Sequence, residues 1–227
     1  MNNLTKGSAK NYDQRVMKVL ELLDVYYYDQ VKCFLNHETP WQLLIATMLS
    51  AQCTDDRVNI VTETLFRKYG SLKDLIEAPL SELEQDIRST GFYHNKAMNI
   101  QVCARQLLEH HNGIVPSDID ELTALRGVGR KTANVVRGNI YKIPSVVVDT
   151  HVKRISYKLG FTEYEDPVKI EFQLMDVLPE THWISYNTQI IAHGRKICKA
   201  RNPDCENCFL LPYCPTGLNN RYSSIGG

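Results

Sequence analysis

The chain lacks what a membrane protein needs: none of its apolar runs approaches the roughly 20 residues that span a bilayer. It lacks net charge as well. Its 26 Lys and Arg balance 26 Asp and Glu, so no global basic field marks a polyanion as partner. It is poor in strand patterning: the one β-like stretch, Ser145-Val146-Val147-Val148, is too short to build a sheet. No internal repeat and no low-complexity tract is present, which excludes solenoids, propellers and largely disordered chains. The first residues, MNNLTKGSAK, are polar and carry no apolar signal region. They read as a loose tail, and a cytoplasmic address is expected, or a nuclear or organellar one in a eukaryote.

What is present is helical periodicity. Hydrophobic residues make up 43% of the 227 and charged residues 23%, ordinary for a globular chain with a sizeable core. Val16, Val19, Leu20 and Leu23 follow three-four spacing. Trp41 to Ser50 is apolar with few β-branched residues and reads as a buried helix. Thr54 is placed to cap a helix carrying Val58, Val61 and Leu65 that stops at Gly70, and Ser71 to cap a short one. Ser81 and Glu84 have capping-box spacing, in a helix that stops near Gly91. Asn95 to His111 puts Ala97, Ile100, Ala104, Leu107 and Leu108 on one face, and Gly113 ends it. Asp166-Pro167 is an N-cap and first-turn pair for a helix that ends before Pro179. The predicted fold class is all-α, with about ten short helices.

Charge is uneven along the chain. Residues 1–125 carry 12 Lys and Arg against 17 Asp and Glu, and residues 126–227 carry 14 against 9. A neutral chain polarised in this way can still present one basic face to a polyanion, although random scatter gives the same counts. The cysteines are uneven too. Cys33, Cys53 and Cys103 are isolated and read as buried free thiols. Cys198, Cys205, Cys208 and Cys214 crowd into 17 residues, which in a cytosolic protein points to metal rather than disulfides.

Three motifs carry chemistry. The first is Leu122-x-x-Leu125-Arg126-Gly127-Val128-Gly129-Arg130-Lys131-Thr132-Ala133-x-x-Val136, two short helices around a Gly-Val-Gly hairpin. Glycines let backbone N–H groups approach a ligand, and the N–H groups that open the second helix favour a phosphate. Such a grip is blind to base sequence. The pattern resembles the helix-hairpin-helix of DNA-repair proteins. The second is Cys198-x6-Cys205-x2-Cys208-x5-Cys214. Four thiolates at short spacing can hold a tetrahedral zinc or a [4Fe–4S] cluster, and thiolate chemistry alone slightly favours zinc. The 6-2-5 spacing resembles the [4Fe–4S] loop of the endonuclease III family. Lys199 and Arg201 lie inside the first segment of that loop, there either to meet a phosphate backbone or simply to face solvent. The third is Val148-Asp149-Thr150-His151-Val152-x-Arg154, where Asp149 is also placed to cap the helix that follows.

Together these motifs resemble the endonuclease III family of DNA glycosylases from about Pro40 to Cys214. Leu49-Ser50-Ala51-Gln52-Cys53-Thr54-Asp55 and Gly91-Phe92-Tyr93-x-x-Lys96-Ala97 resemble the family's early motifs. The resemblance implies a bifunctional glycosylase and AP lyase acting on oxidised pyrimidines in double-stranded DNA, as a monomer, in the nucleoid or in the nucleus or mitochondrion of a eukaryote. It implies that Lys131 is the amine nucleophile that forms a Schiff base at C1′. Its place at a helix N-terminus beside Arg130 disfavours the ammonium form. Asp149 matches the catalytic aspartate, assisting proton transfer and stabilising positive charge on the sugar. The damaged nucleotide must leave the stack before it is attacked. Gln52 matches the glutamine that fills the void, and Phe92 occupies the position of the wedge. The competing reading for Phe92 is a core residue at a helix end. Gly127, Val128, Gly129 and Arg130 are implied to grip DNA, and Cys198, Cys205, Cys208 and Cys214 to hold a [4Fe–4S] cluster of structural role. For Asp55 helix N-terminal charge is the expected role, and for His151 a structural hydrogen bond.

The family likeness also implies two helical domains with a DNA groove between them: a central domain over residues 33–143 with the hairpin, and a second built from 1–32 and 144–227 with the cluster. Two departures stand out. Arg126 replaces the proline common before the first hairpin glycine, at some loss of rigidity and with a possible phosphate contact in exchange. Phe92 replaces a more usual aliphatic wedge. Two other readings stay open from residues alone. A monofunctional mismatch glycosylase of the same superfamily typically lacks the lysine. A non-enzymatic DNA-binding module needs neither Lys131 nor Asp149.

Overall fold

The computed structural model describes residues 12–30 and 33–219, so the N-terminal tail expected at residues 1–10 lies outside the described residues. Eleven α-helices, followed by a further short helical stretch over 215–219, are present among the described residues: α1 Gln14–Tyr26, α2 Pro40–Leu49, α3 Asp55–Lys68, α4 Leu72–Glu77, α5 Leu80–Asp86, α6 Tyr93–His111, α7 Ile119–Ala124, α8 Arg130–Ile140, α9 Thr150–Lys158, α10 Pro167–Val177 and α11 Trp183–Lys196. No strand is found among them, and Ser145–Val148 has no regular secondary structure. The fold is all-α. No described helix is long and apolar enough to cross a membrane.

The chain divides into two compact units, one of Lys32–Val147 and one of Met1–Val31 with Val148–Gly227. The boundary falls at 147/148 rather than at 143. Asn134 in α8 donates through Nδ2 to the Val146 carbonyl (3.1 Å), which ties this segment to the central unit.

The central unit is built around α2. Its residues from Gln42 to Leu49 are all buried, as its all-round apolar sequence requires. Thr39 and Gln42 form a reciprocal capping box there, with Pro40 in the first turn. The capping box expected at Ser81 and Glu84 does not form. Pro79 already stands at the N-cap of α5, and Glu84 instead meets His94 Nδ1 at 2.9 Å. Helix α6 is the longest, with Lys96, Ala97, Ile100, Cys103, Ala104 and Leu107 buried along one stripe. Leu108, expected on that face, is 40% exposed, because one residue past Leu107 the helix has turned out of the stripe. Asn112 in left-handed conformation (φ 52°), rather than Gly113 alone, terminates it. Of the isolated cysteines only Cys103 is fully buried, and burial pushes its thiol up to about 12; Cys33 and Cys53 are half-buried.

In the other unit α1 buries Val16, Val19, Leu20 and Leu23, the residues its periodicity marks. The Arg15 guanidinium donates to the carbonyls of Leu159 and Tyr213, joining α1 to the end of α9 and to the segment before Cys214. Helices α9 and α11 cross closely at Gly194, where any Cβ would collide with the ring of His151. His151 lies in that crossing, with Arg154 Nη2 at 3.5 Å from its Nδ1.

Candidate active site and cysteine centre

The hairpin residues sit between α7 and α8. Gly127 takes a left-handed conformation (φ 78°), and a Cβ there would lie 2.9 Å from both Met48 Cε and Asn99 Cβ. The protein's own packing thus demands glycine at 127. Gly129 differs: its φ is −91° and an added Cβ would meet nothing within 4 Å. It is the N-cap of α8 and offers no side-chain cap to the N–H groups of the first turn. Seven of the eleven helices have a side-chain cap; α5, α6, α8 and α11 do not.

Arg126 is held more firmly than its replacement of proline suggests. Its backbone N–H, which proline would lack, donates to Gln106 Oε1 at 2.7 Å, and its Nε donates to Asn99 Oδ1 at 3.0 Å. Both acceptors project from α6, so the hairpin entry is tied by side chains instead of by a ring. Val128, by contrast, does not fit the DNA-gripping role. Its side chain is only 5% exposed and its N–H already donates to Leu125 O (3.1 Å). Arg130 begins α8 and is half-buried. Lys131 follows it, exposed, with no hydrogen bond or ion pair among the described residues.

Gln52 and Phe92 share an unusual backbone. Both are exposed and both are left-handed, at φ 55° and 50°. Phe92 is 65% exposed, so it is not the core residue at a helix end that was its competing reading. A left-handed aromatic residue is strained by about 1–2 kcal/mol, and such strain collects at functional positions. Phe92 also stands at the N-cap of α6 without a capping side chain.

Asp149 is half-buried at the N-cap of α9, where its Oδ1 accepts from Val152 N at 2.8 Å. One carboxylate oxygen is thus engaged in capping. Asp55 is the first residue of α3, where a negative charge complements the helix dipole.

The four clustered cysteines line one cavity with apolar walls that include Ile155, Leu159 and Leu211. Four thiols lining one cavity whose other walls are largely apolar are the donor set and the dry setting that a [4Fe–4S] cluster takes, and the residues present fit that group on this ground. Burial pushes the Cys208 thiol up to about 11 and raises Cys214 as well. At Cys198 burial also raises the thiol, with the Lys158 and Arg154 cations pulling the other way. Arg154 Nη2 donates to the Cys198 carbonyl (2.7 Å), the Gly217 N–H reaches Cys214 Sγ (3.4 Å), and His193 Nε2 lies 3.6 Å from Cys208 Sγ. The other ring nitrogen of His193 meets Tyr27 OH at 3.2 Å. Partners of this kind orient and tune cluster ligands. Lys199 and Arg201 are exposed on the loop closed by Asp204 N to Ile197 O (3.0 Å).

Sequence reasoning placed Lys96 in a family motif without giving it a role, and passed over Asn99 and Gln106 on α6 and His193 on α11. Only Lys96 left a signal: position 96 falls four residues before Ile100, on the stripe that should be apolar.

Comparison with known proteins follows from this fold and these two sites. Residues 45–180 match the HhH-GPD superfamily of base excision DNA repair proteins. Residues 198–214, the span from the first clustered cysteine to the last, match the iron-sulfur binding domain of endonuclease III. Endonuclease III of Synechocystis sp. is 47% identical over 217 residues, which is 95% of this chain and 98% of that protein. Endonuclease III of Bacillus subtilis is 46% identical over 84% of this chain and 87% of its own length. The structure of a trapped endonuclease III–DNA covalent intermediate aligns with TM-score 0.87 at 46% identity, covering 92% of this chain and 98% of that one. A thermostable thymine-DNA glycosylase shares the fold at TM-score 0.81 and 21% identity. The chain belongs to the endonuclease III family: it is a base excision DNA glycosylase with AP lyase activity that carries a [4Fe–4S] cluster.

Proposed function

We propose that the protein excises oxidised pyrimidines from duplex DNA with Lys131 as nucleophile. The observation that carries this reading is the exposed amine of Lys131, without a partner among the described residues, in the first turn of α8, two residues beyond a glycine whose added Cβ would meet no described atom within 4 Å. The close approach of a DNA backbone to Gly129 accounts for that glycine, and the uncapped N–H groups of α8 are the complementary phosphate grip. Val128 has no part in it.

The lysine amine attacks C1′ of the everted nucleotide. The base departs with the glycosidic electron pair and takes up a proton. Ring opening leaves an iminium between Nζ and C1′. Loss of a C2′ proton then expels the 3′ phosphate, and water returns the amine. The carboxylate of Asp149 stabilises the positive charge that grows on the sugar while its other oxygen caps α9. Gln52 and Phe92 enter the stack that the nucleotide leaves, their side chains already turned outward by left-handed backbones. Lys199, Arg201 and the half-buried Arg130 add cationic contacts to the backbone. Cys198, Cys205, Cys208 and Cys214 ligate the cluster, which supplies rigidity to the loop that bears two of these cations. The reading includes a monomer acting on nucleoid DNA in the cytoplasm.

Borohydride reduction during turnover on a thymine-glycol duplex tests it. A covalent protein–DNA adduct is expected from the wild type and none from Lys131→Ala. An undiminished adduct in that variant would reassign the nucleophile. Base release without strand scission by the wild type would point to a monofunctional enzyme.

A further inference from the structure

One buried cation has no part in the chemistry above. Lys96 lies in α6, one turn beyond Phe92, and is only 7% exposed. Its Nζ donates to the carbonyl of Leu49 and to that of Thr90, each at 2.8 Å. Leu49 is the last residue of α2, and three residues later the chain turns left-handed at Gln52. Thr90 ends a short 3-10 turn, and two residues later the chain turns left-handed at Phe92. A single ammonium therefore bridges the two carbonyls from which the Gln52 and Phe92 loops depart.

We propose that Lys96 is a positioning residue that sets the separation of the Gln52 and Phe92 loops, so that both side chains enter the duplex at one everted nucleotide. The proposal rests on the reading of Gln52 and Phe92 as inserted residues. Lys96 itself is not a nucleophile, because its amine is buried and committed to two carbonyls.

Packing alone does not call for a lysine at this place. An ammonium taken out of water loses much of its hydration, and among the described residues it gains no carboxylate in return. Burial does pull Lys96 below the ordinary lysine range, with Cys53 acting weakly in the other direction. A methionine would fill the same stem volume without that cost. What the charge supplies is a donor at two helix C-termini together, where the last carbonyls are orphaned and the dipole is negative. Within themselves the loops are closed by Cys53 N to Ser50 O (3.1 Å) and by Thr90 Oγ1 to Ile87 O (2.8 Å), while helix α3 packs on the 3-10 turn that precedes Phe92. Neither of those bonds fixes one loop against the other. Helix α6 holds the hairpin as well, through Asn99 and Gln106. One rigid helix therefore spaces the wedge, the void-filling loop and the phosphate grip.

The test uses the holoenzyme with Lys96→Met and Lys96→Arg, each measured on a lesion-containing duplex and on an abasic site in single-stranded DNA. Single strands have no stack to enter, so insertion matters only for the duplex. Lys96→Met is expected to lower kcat on the duplex about 10²-fold, the cost of a misplaced positioning group, with little change in KM. Strand scission at the single-stranded abasic site should stay near wild type. Lys96→Arg, which keeps a buried donor, should restore part of the duplex rate. An equal loss on both substrates, or a lower melting temperature with both rates intact, would overturn the proposal and leave Lys96 a structural residue. Phe92→Ala and Gln52→Ala separate the two levels of inference. If neither changes the duplex-to-single-strand ratio, the insertion reading fails; if both do and Lys96→Met does not, only the Lys96 proposal fails.

Discussion

The cysteine centre and the hairpin face are assembled in different ways. The four cysteines come from one 17-residue window, and distant helices only close the wall around them, as Arg154 does through the Cys198 carbonyl. The hairpin face is collected from Gln52, Phe92 and Gly127 to Lys131, held by side chains of α6 that reach 47 residues back to Leu49 and 27 residues on to Arg126. Strain differs as well. Near the cysteines the one left-handed non-glycine among the described residues is Asn202, a residue type that tolerates it, whereas the central unit sets a glutamine and a phenylalanine in that conformation. A group that is bound permanently can order its own loop. A DNA duplex that comes and goes must find its loops already shaped, so the protein itself carries that strain.

The largest expected effect on stability separates the two. Cys208→Ser removes a thiolate whose metal bond helps hold the loop together, and structural metal sites contribute several kcal/mol or more. Visible absorption from the cluster should vanish, and amide protection should fall in α1, α9, α10 and α11. Protection in α2 and α6 should persist. Loss of protection throughout both units would break the contrast drawn above.

Next comes Gly127→Ala. The added Cβ faces a left-handed backbone and two contacts at 2.9 Å, and a cost of about 2–4 kcal/mol follows in chemical denaturation. Gly129→Ala is its control. Its φ of −91° suits alanine and its Cβ finds open space, so stability should change by less than about 1 kcal/mol while DNA affinity falls. If the two variants behave alike, the division between an internal glycine and a ligand-facing one is wrong.

Much of this was legible in the sequence, for reasons that follow the same division. Helix α1 is readable because Val16, Val19, Leu20 and Leu23 carry their burial in their spacing. The cysteine loop is readable because a multidentate ligand set writes its geometry into the intervals between residues. What spacing cannot carry is a long-range hydrogen bond. Asn99 and Gln106 look like ordinary polar helix residues until Arg126 folds back onto them. Arg126 looked like a loss of rigidity for the same reason. The false capping box at Ser81 came from matching a local pattern while Pro79 and His94 already occupied its partners. Val128 was grouped with its glycine neighbours, although a valine between two turns more readily packs inward than faces a ligand.

Phe92→Gly is expected to move stability slightly, and upward if at all. Glycine relieves the left-handed strain and little burial is lost from a side chain 65% exposed, so the change should lie between zero and about 1 kcal/mol of stabilisation. Base release from duplex DNA should fall at least tenfold all the same, since nothing then wedges the stack. A destabilisation of about 3–5 kcal/mol, the size of a core aromatic truncation, would return Phe92 to the interior.

The smallest expected change in stability belongs to Asp149→Asn. Asparagine caps a helix about as well as aspartate, so the bond to Val152 N survives and the melting midpoint should stay within the equivalent of about 0.5 kcal/mol. The charge is gone, however, and with it the stabilisation of a cationic sugar; kcat for base release should fall by about 10² to 10⁴. Asp149→Ala reverses the pattern on the stability side, removing the cap at a cost of about 1 kcal/mol. If Asp149→Asn retains full turnover, capping α9 is the whole role of this carboxylate and the positive charge on the sugar must be met by another group.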